Sequence, residues 1–308
     1  MCGLYGFLHY GKSEIKGLKE ITNALAKEAA ERGTDAAGIA FNESGRLMIT
    51  KEGKSAERID FKHSDKITAM TGHTRHSTQG SEKKNYNNHP FGGRCRNVNF
   101  ALAHNGVLMN DKELRKKYHL PKTKIETDSY IAVQLLEHKK ELNEESIKFM
   151  AEALQGSFSF SIVDSGDRLW LIKGDSPLHI IHFPNSQLYV YASTEKILWK
   201  ALVETDLFDE LKSGSFEEIP IHSGDILKIL PDGNVMFSKF DYEKYSGYGF
   251  YDWWYYGTCC GKTNSYIDDL KSVAAFEGIC PDDIDVLLGN GFTPEEIEEY
   301  IYCGVCEV

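Results

Sequence analysis

No run of about eighteen apolar residues, the length needed to cross a bilayer as a helix, occurs anywhere in the 308-residue chain. No basic segment followed by an apolar stretch stands at its start either, so neither a membrane partner nor a secretory leader is expected. The seven cysteines are odd in number and scattered, which argues against a disulfide framework and for a reducing, cytoplasmic setting. Positive charge is scarce: the formal net charge is -11. Residues 261–308 hold eleven Asp/Glu against two Lys, a balance of -9, which leaves -2 for the first 260 residues. Such a chain repels a phosphate backbone, so nucleic acid is not expected as a partner. There is no internal repeat, no "GxxxxGK[ST]" phosphate loop and no "SGGxDS"-like stretch.

What is present is a soluble globular composition, 41% hydrophobic and 26% charged, long enough for one large domain with a small appendage. "CGLYGFLHY" reads as a strand, and "LKEITNALAKEAAERG" (18–33) has helical spacing closed by a glycine. "KITAMTGHTRHS" and "NFALAHNGVL" read as strands that run into polar loops. "DSYIAVQLLEHKKEL" and "ESIKFMAEAL" have helical periodicity. Four further stretches place apolar runs on both sides of a turn signal, "NESG", "DSGD", "PNSQ" and "PDGN", and read as hairpins. Hairpins at both ends with helices between them predict a layered α+β fold rather than a doubly wound parallel sheet.

We place a break near residue 241, giving a domain over 1–240 and an aromatic linker plus acidic helical appendage over 241–308. "YEKYSGYGFYDWWYY" (242–256) has nine aromatics in fifteen residues. Three segments with helix-start chemistry follow, "SYIDDLKSVAAF", "CPDDIDVLL" and "TPEEIEEYIY". In the last, Thr293 is placed as N-cap, Pro294 at the first helical position and Glu296 as the capping-box acid. The tail cysteines Cys259, Cys260, Cys280, Cys303 and Cys306 contain one CxxC pair, and no histidine follows His222. That is a weak zinc signal, and no metal is expected.

Polar islands interrupt the apolar strands at "RGTDAAGIA" (32–40), "GHTRHSTQG" (72–80), "NNHPF" (87–91), "AHNGVLMN" (103–110) and "TDSY" (127–130). Each alone is an ordinary turn or a solvated charge. In this order, with Cys2 ahead of them, they resemble the class II glutamine amidotransferases, a branch of the N-terminal nucleophile hydrolases. The resemblance covers about residues 2–230 and includes "KGDSPL" (173–178), "ASTEK" (192–196) and "SGDIL" (223–227).

The resemblance implies a four-layer αββα sandwich and hydrolysis of the side-chain amide of L-glutamine, without a cofactor. Cys2, exposed by removal of Met1, would be the nucleophile, forming a γ-glutamyl thioester. Its thiol is mostly protonated at neutral pH and needs a base; an α-amine, with a pKa of about 7.7–8.0, can serve. Arg75 would take the substrate α-carboxylate, helped by Thr78, and Asp128 the ammonium group. Asn105 and Gly106 would form the oxyanion hole. Residues 75–88 would close over the substrate. Arg32 and Asp35 are expected to brace the Cys2 loop as a charge pair, and His73, His76, His89 and His104 to be hydrogen-bonded loop residues rather than metal ligands. About 68 residues after 240 are too few for a synthase domain, so the ammonia acceptor is expected on a separate synthase chain. The alternatives are an N-terminal cysteine hydrolase of another γ-glutamyl amide without ammonia transfer, and a non-enzymatic binding module.

Overall fold

Strand β1 (Gly3–His9) is buried along its whole length, which explains why its sequence lacks polar alternation: both of its faces are covered. In the computed structural model, which describes residues 2–11, 17–96, 98–242 and 279–303 together with positions 267, 270, 271 and 274, β1 lies inside a seven-stranded antiparallel sheet. Its neighbours are β4 (Ala69–Arg75) and β10 (Leu188–Ala192). The sheet is completed by β2 (Ala36–Glu43), β3 (Arg46–Glu52), β9 (His179–Phe183) and β11 (Glu217–Glu218), in the order β11-β9-β10-β1-β4-β2-β3. A second, six-stranded antiparallel sheet contains β5 (Phe91–Cys95), β6 (Val98–Leu108), β7 (Gly156–Asp164), β8 (Leu169–Lys173), β12 (Asp225–Ile229) and β13 (Val235–Lys239). Its order is β13-β12-β8-β7-β6-β5.

Three buried clusters define four layers. Tyr5, Phe7, Met70 and Val190 face helices α1 (Leu18–Ala29) and α5 (Glu195–Val203) on the outside of the first sheet. Phe100, Leu102, Phe160 and Ile172 face α3 (Tyr130–Lys139) and α4 (Glu144–Ala153) on the outside of the second. Leu4, Leu8, Ala69, Ala103, Leu171 and Leu227 meet between the sheets. The expected α+β sandwich is therefore found, with the hairpins β2–β3, β7–β8, β9–β10 and β12–β13 where the turn signals placed them. Helix α5 is not among the helices that the sequence spacing predicts. Its start is a short capped turn, in which the Thr194 side chain accepts from the Ile197 N–H.

The interlayer is stitched by polar groups as well as packed. Thr71 Oγ1 on β4 and Ser161 Oγ on β7 are 2.6 Å apart, and Tyr191 on β10 donates to Thr71 at 2.9 Å. His73 Nε2 on β4 lies 2.9 Å from the carbonyl oxygen of His104 on β6. Since a carbonyl only accepts, the His73 proton is on Nε2.

Toward the C-terminus, helices Pro281–Gly289 and Pro294–Cys303 share a small apolar cluster of Leu270, Ala274, Ile284, Ile297 and Ile301. The capping box forms: the Glu296 N–H donates to Thr293 Oγ1 at 3.3 Å, and the Thr293 N–H to Glu296 Oε2 at 2.7 Å. The aromatic segment after Tyr242, most of "SYIDDLKSVAAF" and the CxxC pair of Cys303 and Cys306 lie outside the residues and side chains described. Among the described residues no helix is long and apolar enough to cross a membrane, and no cluster of His, Cys, Asp or Glu could hold a metal ion.

Gly72 stands opposite Tyr5 in the β1–β4 ladder, and a Cβ there would lie 2.2 Å from the fully buried Tyr5 ring. Gly72→Ala should destabilise the domain by about 1–3 kcal/mol through overpacking, read as a lower midpoint in urea unfolding.

Candidate active site

Strand parity converges three elements on one end of the interlayer. Side chains alternate faces along a strand. Leu4 and Leu8 point between the sheets, so Cys2, one residue before β1, shares their side. Ala69 and Thr71 set the same face of β4, which carries His73 and Arg75 inward. Ala103 sets it for β6 and carries Asn105 inward. In the β1–β4 register Leu4 pairs with His73, so the residue before Gly3 falls beside Arg75 at the strand ends.

Cys2 is half-buried, and its Sγ lies 3.7 Å from the carbonyl oxygen of His76. Burial pushes its thiol pKa up, and Asp128 adds to this, while the Arg75 guanidinium pulls it down. The β1 ladder stops at Gly3, so the Cys2 carbonyl has no strand partner there. Arg32, at the end of the 3₁₀ turn after α1, takes it through Nε at 2.9 Å.

Arg32 and Asp35 do not act as the expected mutual brace. Arg32 pairs with Glu298 of the last helix, whereas Asp35 Oδ2 accepts from the Ser77 N–H at 2.7 Å. Each anchors a different side of the Cys2 neighbourhood.

Arg75 is buried, and it organises its own loop. Nη2 donates to the carbonyls of Gln79 (2.5 Å) and Gly80 (2.7 Å), and Nη1 donates to Asn88 Oδ1 (2.7 Å). Lys51 reinforces the same loop by donating to the Asn88 carbonyl at 2.6 Å. Thr78 is exposed at the tip of this bend and has no part in the buried cluster.

Asn105 is fully buried, yet neither Nδ2 nor Oδ1 has a hydrogen-bond partner within the protein. Leaving a buried amide unpaired is costly, so this is a donor and acceptor held for something else. Gly106 follows with φ 131°, and a Cβ there would lie 2.1 Å from the Ser157 carbonyl oxygen. Only glycine fits that position, for conformational and steric reasons together. Asp128, just before α3, is buried and accepts from the Leu108 N–H at 2.7 Å. Burial pushes its carboxyl pKa up to about 6 despite that bond.

His73 and His104 lie within strands rather than in loops, and His89 stands just before β5. All three are buried, and desolvation pushes His73 and His104 down to about 3 and His89 well below its usual value. They are neutral at physiological pH. His73 and His104 are hydrogen-bonded, to the His104 carbonyl and Ser129, whereas neither His89 nitrogen has a partner within the protein.

Residues 73–200 match the family model described as a glutamine amidotransferase domain, a span that includes Arg75, Asn105, Gly106 and Asp128 but not Cys2. Glutamine–fructose-6-phosphate aminotransferase (isomerizing) of Staphylococcus epidermidis is 31% identical over 191 residues, covering 58% of this chain and 30% of that protein. The enzyme of the same name from Sulfurisphaera tokodaii is 34% identical over 189 residues, covering 58% and 31%. The chain thus spans about 30% of the length of these relatives. The solved structure of glutamine phosphoribosylpyrophosphate amidotransferase from B. subtilis superimposes with a TM-score of 0.62 at 19% identity, covering 90% of this chain and 58% of that one, which establishes the shared fold.

The titration of Asp128 has a measurable sign. Its folded-state pKa of about 6 exceeds the unfolded value of 3.8, so ionisation opposes folding. The penalty is absent below 3.8, grows as pH rises through the window to about 6 and is full above it. Relative to Asp128→Asn, the native protein should lose up to about 3 kcal/mol of unfolding free energy across that window, measured by denaturant unfolding at a series of pH values.

Residues 73–200 thus match a glutamine amidotransferase domain, and they lie within a sandwich whose fold is shared with glutamine phosphoribosylpyrophosphate amidotransferase.

Proposed function

We propose that the domain hydrolyses the side-chain amide of L-glutamine through a γ-glutamyl thioester on Cys2. The observation that carries this reading is the fully buried, unpartnered amide of Asn105 beside the end of the interlayer where Cys2, Arg75 and Asp128 lie within electrostatic reach of one another.

Removal of Met1 would give Cys2 a free α-amine. The thiol, pushed up by burial, is almost entirely protonated at neutral pH and is a poor nucleophile without a base. The amine on the same residue, with a pKa of about 7.7–8.0, accepts the thiol proton directly or through one water. Sulfur attacks the amide carbon, and the carbonyl electrons move onto oxygen, where Asn105 Nδ2 and the Gly106 N–H stabilise the charge. Collapse breaks the C–N bond. Nitrogen leaves as ammonia with the proton held by the amine, and water then cleaves the thioester to glutamate.

Recognition of the amino-acid end assigns the α-carboxylate to Arg75 and the ammonium to Asp128. Arg75 spends three of its five N–H groups on its loop, both of those on Nη2 among them, which leaves the Nε–H and one Nη1–H for a carboxylate. Because the same guanidinium grips Gln79 and Gly80, substrate binding would order residues 75–88 over the thioester and bring Thr78 toward the substrate.

The ammonia would pass to an acceptor on a separate synthase chain, with residues 241–308 as an appended unit.

Cys2→Ala should abolish glutaminase activity without unfolding the protein; a full-rate variant would overturn the proposal. Stopped with acid, the native enzyme should carry one glutamyl group on the Cys2 peptide by mass spectrometry. Asn105→Ala should lower kcat by about 10²–10³ with a smaller change in KM. The KM for glutamine should rise as pH falls below about 6, because protonated Asp128 no longer pairs with the ammonium, and in Asp128→Asn this rise should vanish.

A further inference from the structure

We infer that Glu298, in the C-terminal helix, is a positioning residue for the Cys2 nucleophile and acts through Arg32. The inference rests on the glutaminase reading above and adds to it a residue from outside the amidotransferase layers.

Arg32 and Glu298 are 266 positions apart in sequence, yet they form an ion pair in which the two side chains are 3% and 4% exposed. The other end of the same guanidinium, Nε, holds the Cys2 carbonyl at 2.9 Å. Three groups are therefore in series: a carboxylate on the appendage, a buried cation, and the backbone of the residue proposed to attack glutamine.

The series has a physical reason. Cys2 lies beyond the last rung of β1, where the ladder no longer fixes its peptide plane. Its carbonyl orientation sets the direction of both substituents that matter, the thiol and the α-amine. Arg32 supplies the missing partner, but a guanidinium this deeply buried is stable in one orientation only if its charge is met. Glu298 meets it.

The direction of Glu298 is fixed by its own helix. The Thr293–Glu296 capping box sets the first turn, and Ile297 and Ile301, one turn apart, hold the adjacent stripe in the small apolar cluster. Glu298 is thus turned away from that cluster and onto the domain. A helix appended for an unrelated purpose has no need to bury a carboxylate against the arginine that holds the nucleophile. Other charges near Cys2 come from Arg75 and Asp128, which belong to substrate recognition, and Asp35 is committed to the Ser77 N–H.

The test uses the full-length protein. Glu298→Ala should lower glutaminase kcat about tenfold to a hundredfold, the scale of a small misplacement of a reacting group, while KM for glutamine changes by less than about threefold. Glu298→Asp keeps a carboxylate charge for Arg32 and should recover part of that loss, whereas the neutral Glu298→Gln, which leaves the buried charge unmet, should not. The double variant Glu298→Ala/Arg32→Ala should be no slower than Arg32→Ala alone, since both act through one contact. The rate of Cys2 alkylation by iodoacetamide should change in Glu298→Ala and move back toward the native rate in Glu298→Asp, a readout that needs no glutamine chemistry.

A Glu298→Ala protein with native kcat and native alkylation rate would overturn the inference, as would a loss of activity matched by an equal loss of folded protein in circular dichroism. An active Cys2→Ala protein would instead overturn the glutaminase reading, and the alkylation result would still stand or fall independently.

Discussion

One hydrogen bond between the two sheets, from His73 Nε2 on β4 to the carbonyl of His104 on β6, governs where everything else at the site can be. It sits two residues before Arg75 and one before Asn105. Two sheets packed through apolar side chains alone can slide, because dispersion contacts are not directional. A buried donor–acceptor pair cannot slide without leaving both groups unpaired. The Tyr191–Thr71–Ser161 contacts pin the same strand further back. Together they fix the register of β4 against the second sheet, and so the guanidinium on one strand against the amide on another.

That pin needs the His73 proton on Nε2, and the imidazole around it is neutral, because burial pushes its pKa to about 3. The same desolvation acts on the functional groups in the opposite sense. It raises the Cys2 thiol and the Asp128 carboxyl, disfavouring the charged forms that catalysis and substrate binding would use. The site therefore carries its charges at a cost to stability. That is the usual relation where polar groups are held for a transition state rather than for each other.

How far this was readable in the sequence follows from the range of each interaction. The hairpins and the α3 and α4 helices are written in local chemistry, as turn residues and apolar spacing, and they are where the sequence placed them. The site islands were recognisable by order and composition, and strand parity then explains why Arg75 and Asn105 face the same gap. Thr78 is exposed at the tip of its loop, which motif matching could not reveal. The Arg32–Asp35 pairing was expected from closeness in sequence. Burial decided otherwise, because Arg32 meets a carboxylate from the far end of the chain. No local signal marks Glu298: its helix reads as one acidic surface helix among others. A buried acid on a helix that carries four glutamates is a property of docking, and docking is not local.

This separation of scales also bears on why Cys2, the residue proposed as nucleophile, needs partners from outside the sheet at the start of its strand. A residue within a ladder has its carbonyl and amide fixed by neighbours, but its nitrogen is then consumed in a peptide bond and cannot serve as a base. A residue just beyond the last rung is the converse case. Once the preceding residue is removed its amine is free, and its backbone is held by nothing in the strand. Arg32 on its carbonyl and the Thr74–Gly3 rung beside it restore the order that the ladder no longer provides. Arg32 in turn is a buried cation, and the last helix brings a carboxylate to it. The geometry of the first residues of the chain is thereby tied to some of the last.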